Sequence, residues 1–214
     1  MRFQNTPLEN TPLQKTPLQN RVDPFGEIVA VAARGSLMGN RGGRIHRDDR
    51  TLGTRRFASK QWICCVLDFK NRQRKVFGAG YSELFFLDEV TALAAGHRPC
   101  FECRRRDAIA FAEYWSKPRP SAPQMDAVLH AQRLGGRSKK LHLLPLDDLP
   151  DGAMIALDSA AFAVRAGKLL QWSPSSYTTR RMRPRTGFAD VLTPPAILAV
   201  LRAGYRPQWH PSAE

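Results

Sequence analysis

Hydrophobic and polar positions change period several times along this chain, and each change marks an element. Between Lys60 and Phe69 the alternation is regular: Ile63, Cys65, Leu67 and Phe69 fall on one side, Trp62, Cys64, Val66 and Asp68 on the other. A period of two is a strand with two distinct faces. Lys70-Asn71-Arg72-Gln73 reads as a turn, Arg74–Phe77 as the returning strand, and Tyr81–Leu87 as a further extended run. A short strand is expected earlier, at Ile28–Ala32. Asp88 opens a different pattern. It suits the N-cap of a short helix over Glu89–Ala95, and Gly96 is the residue type that ends one. Arg104–Trp115 predicts a second helix with Ala108, Ile109, Ala112 and Trp115 on its apolar face, and Gln124–Leu134 a third. The proline-rich Ser116–Pro123 reads as a linker and Gly135–Lys140 as a basic loop. Short strands follow near Met154–Asp158, Phe162–Arg165 and Leu169–Trp172. Thr193 caps a last helix that has Pro194 at its first position and ends at Gly204. Strands and helices in this mixture imply an α+β fold.

Two features break the periodic pattern. Thr-Pro-Leu recurs at Thr6, Thr11 and Thr16, and proline this dense blocks helices and ladders, so residues 1–20 are expected to be a disordered tail. Residues 21–60 form a Gly- and Arg-rich stretch with no clean period. A short echo also appears: Leu93-Ala94-Ala95-Gly96-His97-Arg98-Pro99 resembles Leu201-Arg202-Ala203-Gly204-Tyr205-Arg206-Pro207. Shared helix-stop chemistry accounts for it, since a left-handed Gly followed by Pro ends a helix.

Charge narrows the choice of partner. Across 214 residues, 33 Lys and Arg face 19 Asp and Glu, for a net charge of +14. From Arg34 to Lys75 there are twelve basic and three acidic residues. Such an excess attracts polyanions, nucleic acid before an anionic membrane surface. No apolar run is long enough to cross a bilayer, and the N-terminus has no apolar h-region, so a cytoplasmic location is expected. Four cysteines in a chain of this size suit reduced thiols or a metal site, not a disulfide framework.

The most specific motif is Pro99-Cys100-Phe101-Glu102-Cys103. A Cys-x-x-Cys turn holds two thiolates at one metal ion, and zinc takes four such ligands in a tetrahedron. Cys64 and Cys65 are the other sulfur candidates. Being adjacent on a strand they point to opposite faces, so only one joins readily. Cys65 is preferred because it shares the apolar face with Ile63 and Leu67, where the helix Glu89–Ala95 is expected to pack. His46 and His97 are the candidates for a fourth ligand. Arg104, Arg105 and Arg106 follow the knuckle directly; with Arg98, Arg44 and Arg47 they are candidates for phosphate contact.

The run Phe85-Phe86-Leu87-Asp88-Glu89-Val90-Thr91-Ala92-Leu93-Ala94-Ala95-Gly96-His97-Arg98-Pro99-Cys100-Phe101-Glu102-Cys103 resembles the metal-binding domain of the bacterial Ada repair proteins, a likeness that extends over residues 62–106. The family shows a strand, a short Ala-rich helix, Gly, an aromatic residue, Arg-Pro and then Cys-x-x-Cys. The resemblance implies a small zinc subdomain over 61–116, beside a mixed C-terminal portion over 124–214. It implies that Cys100 and Cys103 are one ligand pair, that DNA is the partner and that the role is linked to DNA damage. In the family a zinc-bound thiolate takes a methyl group from a DNA phosphotriester. This chain departs from the pattern at the first pair, where the family places three residues between its cysteines and Cys64 and Cys65 are adjacent.

The leading expectation is therefore a zinc-containing nucleic-acid-binding protein. Enzymatic alternatives use the same residues: a thiol alkyl acceptor at Cys64 or Cys65, a zinc nucleobase deaminase joining His46-Arg47-Asp48 to Pro99-Cys-x-x-Cys, or a metal-dependent nuclease at His46, Asp48 and Asp49.

Overall fold

The computed structural model describes residues 16–73 and 75–214. The first two Thr-Pro-Leu repeats and Arg74 lie outside the described residues. The third repeat does not behave as a tail: Leu18 packs on the core, and Gln19 and Asn20 already belong to a strand.

In chain order the elements are β1 (Gln19–Val22), β2 (Ile28–Ala30), β3 (Leu37–Arg41), β4 (Trp62–Cys65), β5 (Leu84–Phe86), α1 (Glu89–Ala94), β6 (Arg98–Pro99), α2 (Arg105–Trp115) and α3 (Ala122–Arg133). They continue with β7 (Leu134–Gly135), β8 (Ser138–Lys139), β9 (His142–Pro145), β10 (Met154–Leu157), β11 (Ala160–Arg165), β12 (Lys168–Trp172), β13 (Tyr177–Met182), β14 (Phe188–Val191) and α4 (Pro195–Ala203). The fold is α+β. One mixed sheet has the order β2-β1-β5-β3-β4-β6 and a second, antiparallel throughout, has the order β13-β12-β11-β10-β14-β9; β7 and β8 form a small separate hairpin.

The basic stretch 21–60 is not a separate segment. It contributes β2 and β3 to the sheet that holds β4, β5 and β6, because those strands complete one buried surface. Strand β4 is shorter than the alternation from Lys60 to Phe69 suggests. Its partners are β3 and β6, not the segment 75–77, and Lys70, Asn71 and Phe77 all take positive φ in the connection that follows.

Helix α1 is buried on every side; its two polar residues, Glu89 and Thr91, are satisfied by hydrogen bonds from Arg104, Tyr205 and Trp172 and to Asp88. Ala92 packs with the first sheet, Val90 and Ala94 with the second, and Leu93 with α2, α3 and α4. Thus the segments 61–116 and 124–214 share a continuous interior through this one helix. Asp88 caps it as expected, accepting from the Thr91 amide at 2.9 Å. The exit is a Schellman turn: Gly96 at φ +86° donates to the Leu93 carbonyl, and His97 donates to the Ala92 carbonyl. Helix α4 ends in the same way, with Gly204 donating to Leu201 and Tyr205 to Val200, so the sequence echo is repeated helix-stop chemistry.

Three expected boundaries move. Helix α3 starts at Ala122 because Ser121 and Gln124 form a capping box around Pro123. Pro194 is the N-cap of α4, while the Thr193 hydroxyl accepts from Met154 across the sheet. The 135–140 loop is largely the β7–β8 hairpin.

Candidate metal centre

The Schellman exit of α1 aims the chain along β4. Strand β6 runs parallel to it, with Ile63 beside Arg98 and Cys64 beside Pro99, and the ladder continues as the Cys100 amide donates to the Cys64 carbonyl at 3.0 Å. The following residue of each strand then falls on the opposite face. Cys65 and Cys100 meet there, and the tight turn brings Cys103 back to them.

The sulfur atoms of Cys65, Cys100 and Cys103 lie within 4.8 Å of one another. A tetrahedral zinc with bonds of about 2.3 Å holds its sulfurs about 3.8 Å apart, so the trio fits with little adjustment. Cys65 and Cys100 are buried with Met38, while Cys103 is partly exposed. The Glu102 amide points at the Cys100 sulfur, 3.4 Å away, as in a turn that stabilises thiolate. Hydrogen bonds from Cys103 and Cys65 pull the Cys100 thiol well below its ordinary range, backed by the amides of Cys103 and Glu102. The Cys65 thiol is pushed up by its bonds to Cys100 and Cys103 and by burial. Three sulfurs this close cannot all ionise unless a cation joins them.

Cys65 is in the trio for a different reason from its expected packing against α1. It is the Cys64 face that α1 covers: Cys64 is fully buried with Ala92 and Ala95. Its sulfur receives the Arg104 guanidinium at 3.6 Å, and burial pushes its thiol up. Cys64 is therefore neither a fourth ligand nor an accessible methyl acceptor. His46 is also placed elsewhere. Its Nδ1 lies 2.6 Å from the Ser82 hydroxyl, its Nε2 3.0 Å from the Gly78 carbonyl, and its ring stacks on Phe77. His97 packs between Trp62 and Phe86, with its Nε2 toward Arg41. No second group of three His, Cys, Asp or Glu converges among the described residues, so His46, Asp48 and Asp49 do not assemble the deaminase or nuclease site. Asp48 instead pairs with Arg44, and Asp49 accepts from Thr51.

The candidate phosphate contacts divide sharply. Arg98 is buried in a two-toothed pair with Asp126, at 2.9 and 2.8 Å. Arg104 is buried between Glu89 and Asp107, at 2.8 and 2.7 Å. Glu89 in turn accepts from the Tyr205 hydroxyl and the Gln208 amide, which ties the knuckle to the C-terminal segment. These two arginines hold the fold and cannot reach a strand. Arg105 and Arg106 remain exposed at the start of α2, and Arg44 and Arg47 on the loop after β3. Three large aromatic side chains are likewise committed to the fold. Trp62 is buried, Tyr177 donates to Asp88 at 3.0 Å, and Trp172 donates to Thr91 at 3.0 Å.

Among the described residues, no helix is long and apolar enough to cross a membrane. No family model matches this chain, and neither a curated protein nor a solved structure does.

Proposed function

We propose that this protein is a zinc-binding protein that associates with nucleic acid through its phosphates. The observation that carries the reading is the convergence of Cys65, Cys100 and Cys103, brought together from a strand and a knuckle that only the tertiary fold places side by side. An all-thiolate set selects a soft or borderline ion, and zinc is among those that take such sulfurs in a tetrahedron. When bound, the metal supplies folding energy at the knuckle and lowers the basicity of whatever fills its fourth position. The residues around it do the rest. Glu102 directs its amide to sulfur, Met38 and Ile63 wall the site on the sheet side, and Arg104 anchors the start of α2. Nucleic acid is supported by the net charge of +14 and by Arg105 and Arg106, which stand exposed beside the knuckle.

Metal content on freshly purified protein tests the first half. One zinc per chain, lost in Cys65→Ser and in Cys100→Ser but kept in Cys64→Ser, is the expected pattern. Retention in all three variants overturns the site. Affinity for duplex DNA that falls steeply with salt tests the second half, and binding indifferent to salt removes it.

One observation favours a second reading, in which the site is a thiol alkyl acceptor. Cys103 is the one partly exposed sulfur of the trio. The methyl carbon would move from a phosphotriester oxygen to that sulfur, leaving a phosphodiester. A mass gain of one methyl on Cys103 after exposure to methylated DNA is the test, and an unchanged mass excludes it.

A further inference from the structure

Buried arginines in this protein come in two kinds. Arg98 and Arg104 each face carboxylates, as buried charge requires. Arg41 and Arg133 are 2% and 0% exposed and meet no carboxylate within ion-pair distance among the described residues. Arg41 donates to the Gly26 carbonyl at 2.8 Å and the Arg56 carbonyl at 3.4 Å. Arg133 donates to the carbonyls of Gly96 and Lys60, at 2.9 and 2.7 Å, and its Nε has no partner. Both guanidiniums lie against the Trp62 ring, 3.9 and 3.8 Å from its centre. Lys139 reaches in from β8 and donates to the Ala94 carbonyl. Neutral oxygens and a ring cannot offset three clustered positive charges.

These side chains line a recess of about 400 Å³, its open mouth included. Arg56 and Arg137 stand exposed at its rim, and Phe25 and Phe57 supply apolar wall. Glu27 is the one acidic residue in the lining, against five basic ones. Burial above all brings Arg41 and Arg133 down to about 9 and Lys139 down to about 7; neighbouring arginines add to it at Arg133 and Lys139, while Glu27 and Asp23 partly offset it at Arg41.

We propose that this recess is an anion site and that its ligand is a phosphate monoester, the group that ends a nucleotide or a 5′-phosphorylated strand. A carboxylate neutralises one charge; a phosphate monoester carries close to two, with three acceptor oxygens for the guanidinium forks. The enclosed part of the recess is small, about 30 Å³, so it takes the compact phosphate group and leaves the rest of the ligand at the open mouth. The site contains none of the cysteines and requires neither a metal nor a nucleic-acid strand.

Titration calorimetry with inorganic phosphate is the test, on the wild type, an Arg56→Ala/Arg137→Ala variant, Lys139→Met, and a Lys168→Ala/Arg185→Ala control at exposed positions outside the recess. Arg56 and Arg137 are exposed, so their variant keeps the fold; circular dichroism checks this. The expected result is saturable binding, weakened about tenfold or more by the rim variant and by Lys139→Met and unchanged in the control. Adenosine 5′-monophosphate against adenosine, and 5′-phosphorylated against 5′-hydroxyl oligonucleotides, then separate a small-molecule source from a strand end; preference for the phosphorylated member of either pair supports the site. Phosphate binding equal in the rim variant and the control overturns the proposal, as does absence of saturable binding. Salt-sensitive binding of 5′-hydroxyl DNA reports on the nucleic-acid reading separately.

Discussion

Cys64 pairs with Pro99 in parallel register, and that pairing places Cys65 next to Cys100 on the opposite face of the sheet. Neighbouring strands lie about 4.8 Å apart, so residues in adjacent register bring their side chains within reach of one ion. A slip of one residue would instead send Cys65 into the core and Cys64 to the knuckle. The metal site is therefore a consequence of register, and register is set by the turn that ends α1.

Gly96→Ala tests that dependence. Gly96 holds φ +86°, and an added Cβ would lie 2.7 Å from the Arg133 side chain. Left-handed strain alone costs about 1–2 kcal/mol, and the clash adds to it. Gly136→Ala, at φ +69° with open space around it, carries the strain without the clash. Chemical denaturation is expected to show the larger loss for Gly96→Ala. Zinc content should fall with it and stay constant in Gly136→Ala.

Arg104→Met removes the cation between Glu89 and Asp107 and leaves the buried Glu89 carboxylate without its counter-charge. The expected cost is about 3–5 kcal/mol, read from the denaturation midpoint. Arg105→Ala/Arg106→Ala, two residues along on the exposed side of α2, should leave that midpoint in place and lower the salt slope of DNA binding by about two. A large stability loss in the α2 double variant would remove it from the nucleic-acid surface.

Lys139 supplies a pH signature. Its ammonium feels Arg41 and Arg133, with Asp23 opposing them, and its pKa is lowered from 10.5 to about 7, first by burial and then by the two arginines. Between about 7 and 9, below the range where the arginines join in, the unfolded chain holds a proton that the folded chain lacks. Stability then rises with pH across that window. Lys139→Met should flatten the rise. An identical slope in wild type and variant would show that Lys139 does not titrate there.

Metal removal has a sign of its own. Ligand that binds only the folded state stabilises it, so chelation should lower the Tm of the wild type by several degrees. Cys100→Ser, which lacks one of the three sulfurs, should start at the lower Tm and not respond to chelator. A chelator shift of equal size in Cys100→Ser would place the metal elsewhere.

Local chemistry was readable along the chain wherever it was short-range. Asp88 as a cap, Gly96 and Gly204 as helix stops, the helix before Trp115, and the knuckle Cys100–Cys103 all depend on neighbours within a few residues. Alternation at Trp62–Cys65 correctly put Cys64 and Cys65 on opposite faces. It could not say which face α1 covers, because period two is symmetric between them; α1 lies over Cys64 rather than Cys65, and both thiols are buried. The same limit applied to charge. Arg98, Arg104, Arg105 and Arg106 are alike in sequence, yet two are buried because Asp126 and Glu89 arrive from distant elements to meet them.

By itself, then, the sequence determined the helix ends, the strand alternation, the Cys-x-x-Cys knuckle and the positive excess, all properties of contiguous residues. Only the tertiary structure decided that Cys65 joins the knuckle, that His46 does not, and that Arg41, Arg133 and Lys139 line one recess whose lining holds a single acid, Glu27. Those outcomes depend on long-range pairing, where the burial of a side chain is fixed by what packs over it and not by its neighbours in the chain.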